Sequence, residues 1–287
     1  MLAAIAAATA GTRAQAPPDI ETLLSRVSER LTQYYKRAQS VVCTEKSIVQ
    51  PLSSDFGQRG VARTVESELR IEPELQDGDG ENAVAASFVR EILKVNGKPP
   101  REKDKKDRSR CTDPNPLTTE PLAFLLPANR KGYTFTVAGH GKGKERDSLI
   151  IEFVTEREPG EGKVVENSEG IEDCFSVSIP TATRGRVWVD SATYEVTRLE
   201  SHLAGLGDIR STRAQQRKHS LPDFMTIERY DTAIRYRSVR FSDPDEAMLL
   251  PESIDTVVIW RNGLESTRRR QEYSGYRRFL TAGRIVK

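Results

Sequence analysis

Apolar positions along the chain follow two periods in succession. Between Asp19 and Gln39 they recur every three or four residues: Ile20, Leu23, Leu24, Val27, Leu31, Tyr34, Tyr35 and Ala38 fall on one helical face, and Arg26, Glu29, Arg30 and Lys36 fall on the other. Asp19 follows two prolines and offers an N-cap carboxylate, while Glu21 suits the positive start of a helix. The spacing predicts one amphipathic helix over 19–39. A single apolar stripe must pack on something, and the segments that follow supply a sheet.

From Val41 onward the period is two. Strand patterns run over 41–50, 61–72, 85–95, 133–138, 148–155, 174–179, 186–190, 194–203, 226–241, 254–260 and 264–273. Turn chemistry separates them: Ser53 to Gly60, Asp77-Gly78-Asp79-Gly80, Asn96-Gly97, and the glycine-rich stretch from Gly139 to Gly143. Arg261-Asn262-Gly263 predicts a type I′ hairpin, whose twist matches paired strands. Thr119-Glu120-Pro121 opens a short helical turn through Leu125, which Pro127 limits. The charged segment 98–110 reads as a solvent loop, 156–169 as a second polar loop, and the basic stretch 205–221 as a mobile excursion.

Together these give one N-terminal helix and about nine or ten strands joined by hairpin-length loops, with no spaced strand–helix–strand units. The expected fold is mainly β: a curved antiparallel sheet, a half-barrel, covered by one or two helices. Residues 17–287 are expected to form a single domain. The first sixteen residues stand apart. Leu2 to Ala10 is an alanine-rich apolar run, and Ala14-Gln15-Ala16 is a small-x-small cleavage signal, so 1–16 reads as a signal peptide. Its basic start is missing, which implies a truncated one; the bland alternative is a short disordered start. Export to the periplasm or the medium is the expectation. No later segment has the apolar length to span a membrane as a helix.

Charge narrows the function. Lys and Arg number 44 against 42 Asp and Glu, a dense but balanced mixture. A nucleic-acid binder usually carries a one-sided basic balance, so nucleic acid is not an expected partner. Cys43, Cys111 and Cys174 are too widely spaced for a zinc knuckle or a C-x-x-C pair. An oxidising compartment favours one disulfide and one free thiol, three separate buried thiols being the alternative.

Candidate chemistry is thin. His140, His202 and His219 are not at metal-ligand spacing, so no metal or cofactor is expected. His202 with Asp190 and a serine could assemble a triad in space, but no G-x-S-x-G elbow supports it. The Gly139–Gly143 stretch lacks the G-K-[ST] ending and following helix of a phosphate loop. Asp77-Gly78-Asp79-Gly80-Glu81 lacks the distant glutamate of a calcium loop. Asp243, Asp245 and Glu246 read as a solvated loop. Arg268, Arg269 and Arg270, with Arg277 and Arg278, form the strongest basic cluster; Arg268 and Arg270 share one strand face while Arg269 points to the other. An anionic headgroup or polysaccharide is one reading of it, and cross-strand pairing with Glu265, Glu272 or neighbouring acids is the ordinary one. Trp188 and Trp260 sit in apolar strands. With Leu199, Ile234 and Tyr236 they either line an apolar cavity or form plain core.

Several segments stand in a recognisable order: Val41-Val42-Cys43-Thr44-Glu45, Gly185-Arg186-Val187-Trp188-Val189-Asp190, Val196-Thr197-Arg198-Leu199-Glu200, Leu249-Leu250-Pro251-Glu252-Ser253, and Tyr273-Ser274-Gly275-Tyr276-Arg277-Arg278-Phe279. Together they resemble a group of uncharacterised exported bacterial proteins, and the Gly185–Glu200 unit is similar to the outer-membrane lipoprotein carrier (LolA-type) superfamily. That resemblance implies a curved half-barrel whose open apolar face is covered by helices and holds acyl chains. The long charged loops and arginine-dense C-terminal strands depart from it. Three readings follow, in order. The first is a non-catalytic exported envelope protein that holds a lipid or other apolar ligand on the concave face. The second is an envelope module that docks a protein or glycan and has a filled core. An exported hydrolase ranks last.

Overall fold

The computed structural model describes residues 19–38, 41–53, 55–73, 86–104, 120–156, 160–166, 174–179, 181–242 and 245–278. The expected signal peptide, the Asp77–Glu81 turn and the whole 105–119 segment lie outside them.

The chain opens on α1 (Ile20–Ala38), and the backbone N–H of Thr22 donates to the Asp19 carboxylate at 3.2 Å, as the cap requires. Then come β1 (Val41–Pro51), β2 (Arg63–Pro73) and β3 (Ala86–Val95). Two short 3₁₀ turns, Glu120–Leu125 and Pro127–Asn129, precede β4 (Tyr133–His140) and β5 (Ser148–Thr155). The rest runs β6 (Gly162–Glu166), β7 (Phe175–Ser178), β8 (Thr183–Asp190), β9 (Val196–Leu203), β10 (Gly207–Arg210), α2 (Arg213–His219), β11 (Phe224–Ser242), β12 (Asp245–Trp260) and β13 (Thr267–Arg278).

The thirteen described strands join one sheet; ten follow the order β3-β2-β1-β13-β12-β11-β9-β8-β5-β4, with β6, β7 and β10 on a side branch, and the sheet does not close into a barrel. Every pairing on this path is antiparallel. Laid flat, β2 to β5 would span about 34 Å at the usual strand spacing. Yet Leu69 of β2 and Phe153 of β5 belong to one core with α1, so the sheet wraps towards the helix. Register shifts in β1–β13, β2–β3, β4–β5, β8–β9 and β11–β12 supply bends of the kind a curved sheet needs.

The wrapped face is filled. Leu23, Leu24, Val27 and Leu31 of α1 are each under 5 % exposed and pack on Cys43, Ile151, Val187, Leu199, Ile234 and Ile254. Polar ties fix the helix as well. Arg130 donates to the carbonyls of Leu24 (2.7 Å) and Leu125 (3.0 Å), and the Ser28 hydroxyl also reaches Leu125 O at 3.0 Å.

The structure corrects several expectations. The polar loop 156–169 contains β6, and the supposed excursion 205–221 contains β10 and α2. The 19-residue β11 serves two neighbours in series, pairing with β10 through Phe224–Ile227 and with β9 through Asp231–Arg235. β10 pairs in parallel with β6, which pairs with β7. This side branch closes a second core of Val164, Ile209, Leu221, Met225, Ile227 and Val258. The Asn262-Gly263 turn is not type I′, because only Gly263 has positive φ (+76°). A Cβ there would meet Pro222 Cγ at 2.2 Å, so the glycine is needed for close approach. Asn96-Gly97 does form such a tight turn, with φ of +50° and +75° and Val95–Lys98 bonded both ways.

Candidate functional site

Where the last turns of α1 pass over β9, β11 and β12 the packing opens into a half-open cleft. Its floor is apolar, made by Leu31, Tyr34, Leu122, Val196, Tyr236 and Met248; Leu249 and the small Ala247 close one side. Arg30, Gln33 and Glu195 form the polar rim. Arg30 Nε donates to Thr193 O at 2.9 Å, which ties the helix to the β8–β9 turn at the mouth. Tyr34 and Tyr236 meet edge to face with centroids 6.5 Å apart. Burial, then the neighbouring Cys43, pushes the Tyr34 phenol above its ordinary pKa, so it stays neutral. The enclosed space is about 60 Å³. That is less than half the roughly 150 Å³ engineered cavity that takes benzene. With α1 seated, the cleft accepts the end of an apolar group and not a whole acyl chain.

The five apolar candidates read from the sequence part company here. Only Tyr236 lines the cleft. Leu199 and Ile234 are buried in the core beneath α1. Trp260 packs half-buried on the second core. Trp188 alternates with Val187 and Val189 and so points to the opposite face, where the Arg198 guanidinium covers its ring at 4.5 Å. Leu31 and Tyr34 were legible as part of the helical stripe. Leu122, Val196, Met248 and Leu249 carry no local signal that sets them apart from other apolar residues.

The histidines stand apart from one another. His202 Nε2 accepts from Arg184 Nε at 2.9 Å. Asp190 is six residues along β8 from Arg184, roughly 20 Å at strand rise, and accepts from the backbone N–H groups of Ala192 and Thr193. The two do not meet. His219 bonds Glu166 at 2.9 Å, and His140 sits exposed at the end of β4. Among the described residues no group of three or more His, Cys, Asp or Glu is placed to hold a metal ion. No described helix is long and apolar enough to cross a membrane.

Cys174 is disulfide-bonded and Cys43 is a buried free thiol; Cys111 lies outside the described residues. Burial first, then the carboxylates of Glu45 and Glu68, push the Cys43 thiol up to about 12. Beside it lies a buried polar cluster. Glu45, 1 % exposed, accepts from Arg90 Nη2 at 3.0 Å and from Gln271 Nε2 at 2.8 Å. Arg90 Nε stands 2.8 Å from the other carboxylate oxygen but off the line of a hydrogen bond.

No family model matches the chain, and no curated protein matches it. Among solved structures it is similar to a LolA superfamily protein from Nitrosomonas europaea, at 10 % identity over 94 % of this chain and 99 % of that one. The TM-score is 0.33, a loose overlay.

Proposed function

We propose that this is an exported, non-catalytic, single-domain binding protein that takes an apolar chain beneath α1, entering at the cleft beside Tyr34 and Tyr236. The observation that carries the reading is the half-open apolar cleft at the point where the stripe of α1 leaves the sheet. In this reading α1 is a plug that fills the trough until a ligand replaces it. The exchange is close to neutral in apolar burial. The four stripe residues together contribute about 6–12 kcal/mol at 1.5–3 each, and a chain of twelve methylenes about 10 at 0.8 each. The polar ties of Arg130 and Arg30 then decide how readily the plug lifts. The Cys174 disulfide fits an oxidising compartment and supports export.

The test uses the neutral probe N-phenyl-1-naphthylamine and native mass spectrometry of protein purified from the cell envelope. Ala247→Trp, which fills the cleft, is expected to weaken probe binding at least tenfold. Arg130→Ala, which frees α1, is expected to strengthen it. Ligand-free protein in every preparation, together with no probe binding by Arg130→Ala, rules the reading out.

A further inference from the structure

A second groove, of about 730 Å³, lies on the face of the sheet away from α1. Strand parity builds it. On β13, Gln271 and Tyr273 point into the core, so Arg268 and Arg270 point out. Register sets Arg268 between Gln50 and Val257, and Arg270 between Ile48 and Asp255. The floor is therefore apolar, with Ile48 and Val257 half-buried and Ile259 5 % exposed.

The charges on the rim are not all spent on one another. Arg229 pairs with Asp231, Arg270 with Glu272 at 3.0 Å, and Glu228 with Arg261. Among the described residues Arg268 has no carboxylate partner. The lining carries Arg229, Arg268 and Arg270 against Glu228, an excess of positive charge over an apolar floor. The adjoining groove beyond Arg270 differs, because Glu252 and Asp255 there offset Arg235 and Arg237.

An independent feature points to the same place. The β1–β2 turn holds Phe56 at the groove, 60 % exposed and with φ of +63°. A bulky side chain in the left-handed region is strained. It is held there by Phe56 N–H donating to Ser53 O and Ser53 N–H donating to Gly57 O, both at 2.9 Å. Neither core packing nor the turn itself needs an aromatic ring at that position.

We propose that this groove binds a single-chain anionic amphiphile, its carboxylate or phosphate head on Arg268 and its chain laid over Val257 and Ile259 under Phe56. Guanidinium groups take such heads in charge-assisted, bidentate hydrogen bonds. The site is separate from the cleft under α1 and stands whether or not that cleft binds a chain.

The experiment is calorimetric titration of the full chain with laurate, dodecyl phosphate, dodecyltrimethylammonium and inorganic phosphate, each below micelle concentration. Binding of laurate or dodecyl phosphate is expected, with the better of the two identifying the head. Phe56→Ala and Arg268→Gln are each expected to weaken it at least tenfold, with unchanged circular dichroism, and Ala247→Trp to leave it unchanged. Four results overturn the proposal: no binding of either anion, equal affinity for the cationic chain, equal affinity for phosphate alone, or loss of binding in Ala247→Trp without loss in the two groove variants.

Discussion

Removing the guanidinium from Arg90 should damage this protein more than any surface charge deletion, and removing the Glu45 charge as well should undo part of the damage. Glu45 is 1 % exposed and the Arg90 side chain 13 % exposed, so neither group is well solvated. At an effective dielectric near 20, unit charges about 4 Å apart attract by about 4 kcal/mol. Desolvating the pair costs several kcal/mol per ion, so the intact pair contributes little net stability. The asymmetry appears on breaking it. Arg90→Met leaves a buried carboxylate whose remaining hydrogen-bond partners among the described residues are the Gln271 amide and the Tyr273 hydroxyl, and such a change costs about 3–5 kcal/mol. For a chain of this size that lowers Tm by about 6–20 °C.

Glu45→Gln keeps an acceptor for Gln271 but strands the largely buried Arg90 guanidinium, whose Nε is out of contact with solvent, so it too should cost about 3–5 kcal/mol. The double variant Glu45→Gln/Arg90→Met should then be more stable than Arg90→Met alone. Urea unfolding of the two single variants and the double variant, followed by circular dichroism, reads all of this. A cost below about 1 kcal/mol for Arg90→Met, or a double variant no better than the single, would show that the pair is not buried as described.

Four further outcomes follow from the same geometry. Cys43 should resist thiol reagents at pH 8 in the native protein and react fully on unfolding; because its pKa is raised to about 12 in the fold, stability should fall as pH rises above the ordinary thiol value of 9.0, where only the unfolded chain gives up the proton. Prompt labelling of the native protein refutes this. Gly185→Ala should cost about 2 kcal/mol or more, since its Cβ would lie 2.0 Å from Glu200 O and 2.6 Å from a Phe153 ring carbon; an unchanged Tm counts against that packing. Reducing the Cys174 disulfide should lower stability by about 2–4 kcal/mol, and no shift with reductant would contradict it. Hydrogen bonds from His219, then Lys218, hold the Glu166 carboxyl below the usual carboxylate range, so the stability it lends is full above the ordinary carboxylate pKa and lost as pH falls through the depressed value; a difference between wild type and Glu166→Gln that persists at pH 2 would refute it.

The long elements were legible in the sequence because each repeats its signal. The stripe and cap of α1 and the even period of β5 fix both elements closely, and β5 spans Ser148–Thr155 in the structure. The missed elements are too short to repeat anything. Gly162–Glu166 and Gly207–Arg210 each bury two alternate positions, and a loop can show as much by chance. The helix Arg213–His219 has no buried face, so periodicity says nothing of it. Its one signal was the capping box, in which Thr212 accepts from the Gln215 backbone and the Gln215 side chain returns the contact.

The candidate site shows the same boundary more sharply. Parity assigned Arg268 and Arg270 to one face and Arg269 to the other, and the ladder agrees. Parity does not choose neighbours. Glu272 pairs with Arg270 along its own strand, and Glu265 ends up in the turn before β13. The register shift between Arg235 and Tyr236 sets a residue aside on β12, so Arg235 faces Ser253 and Tyr236 faces Pro251. Tyr236 meets Tyr34 under the helix, while Ile234, two residues earlier on the same face, is sealed in the core. A bulge is one residue long and leaves no periodic trace; this one lies on β12 and leaves the alternation of β11 intact. The apolar residues of β11 could therefore be recognised as inward-facing from the sequence, but whether one fills the core or opens on the cleft depends on where the last turns of α1 pass over the strand, which the period of β11 does not carry.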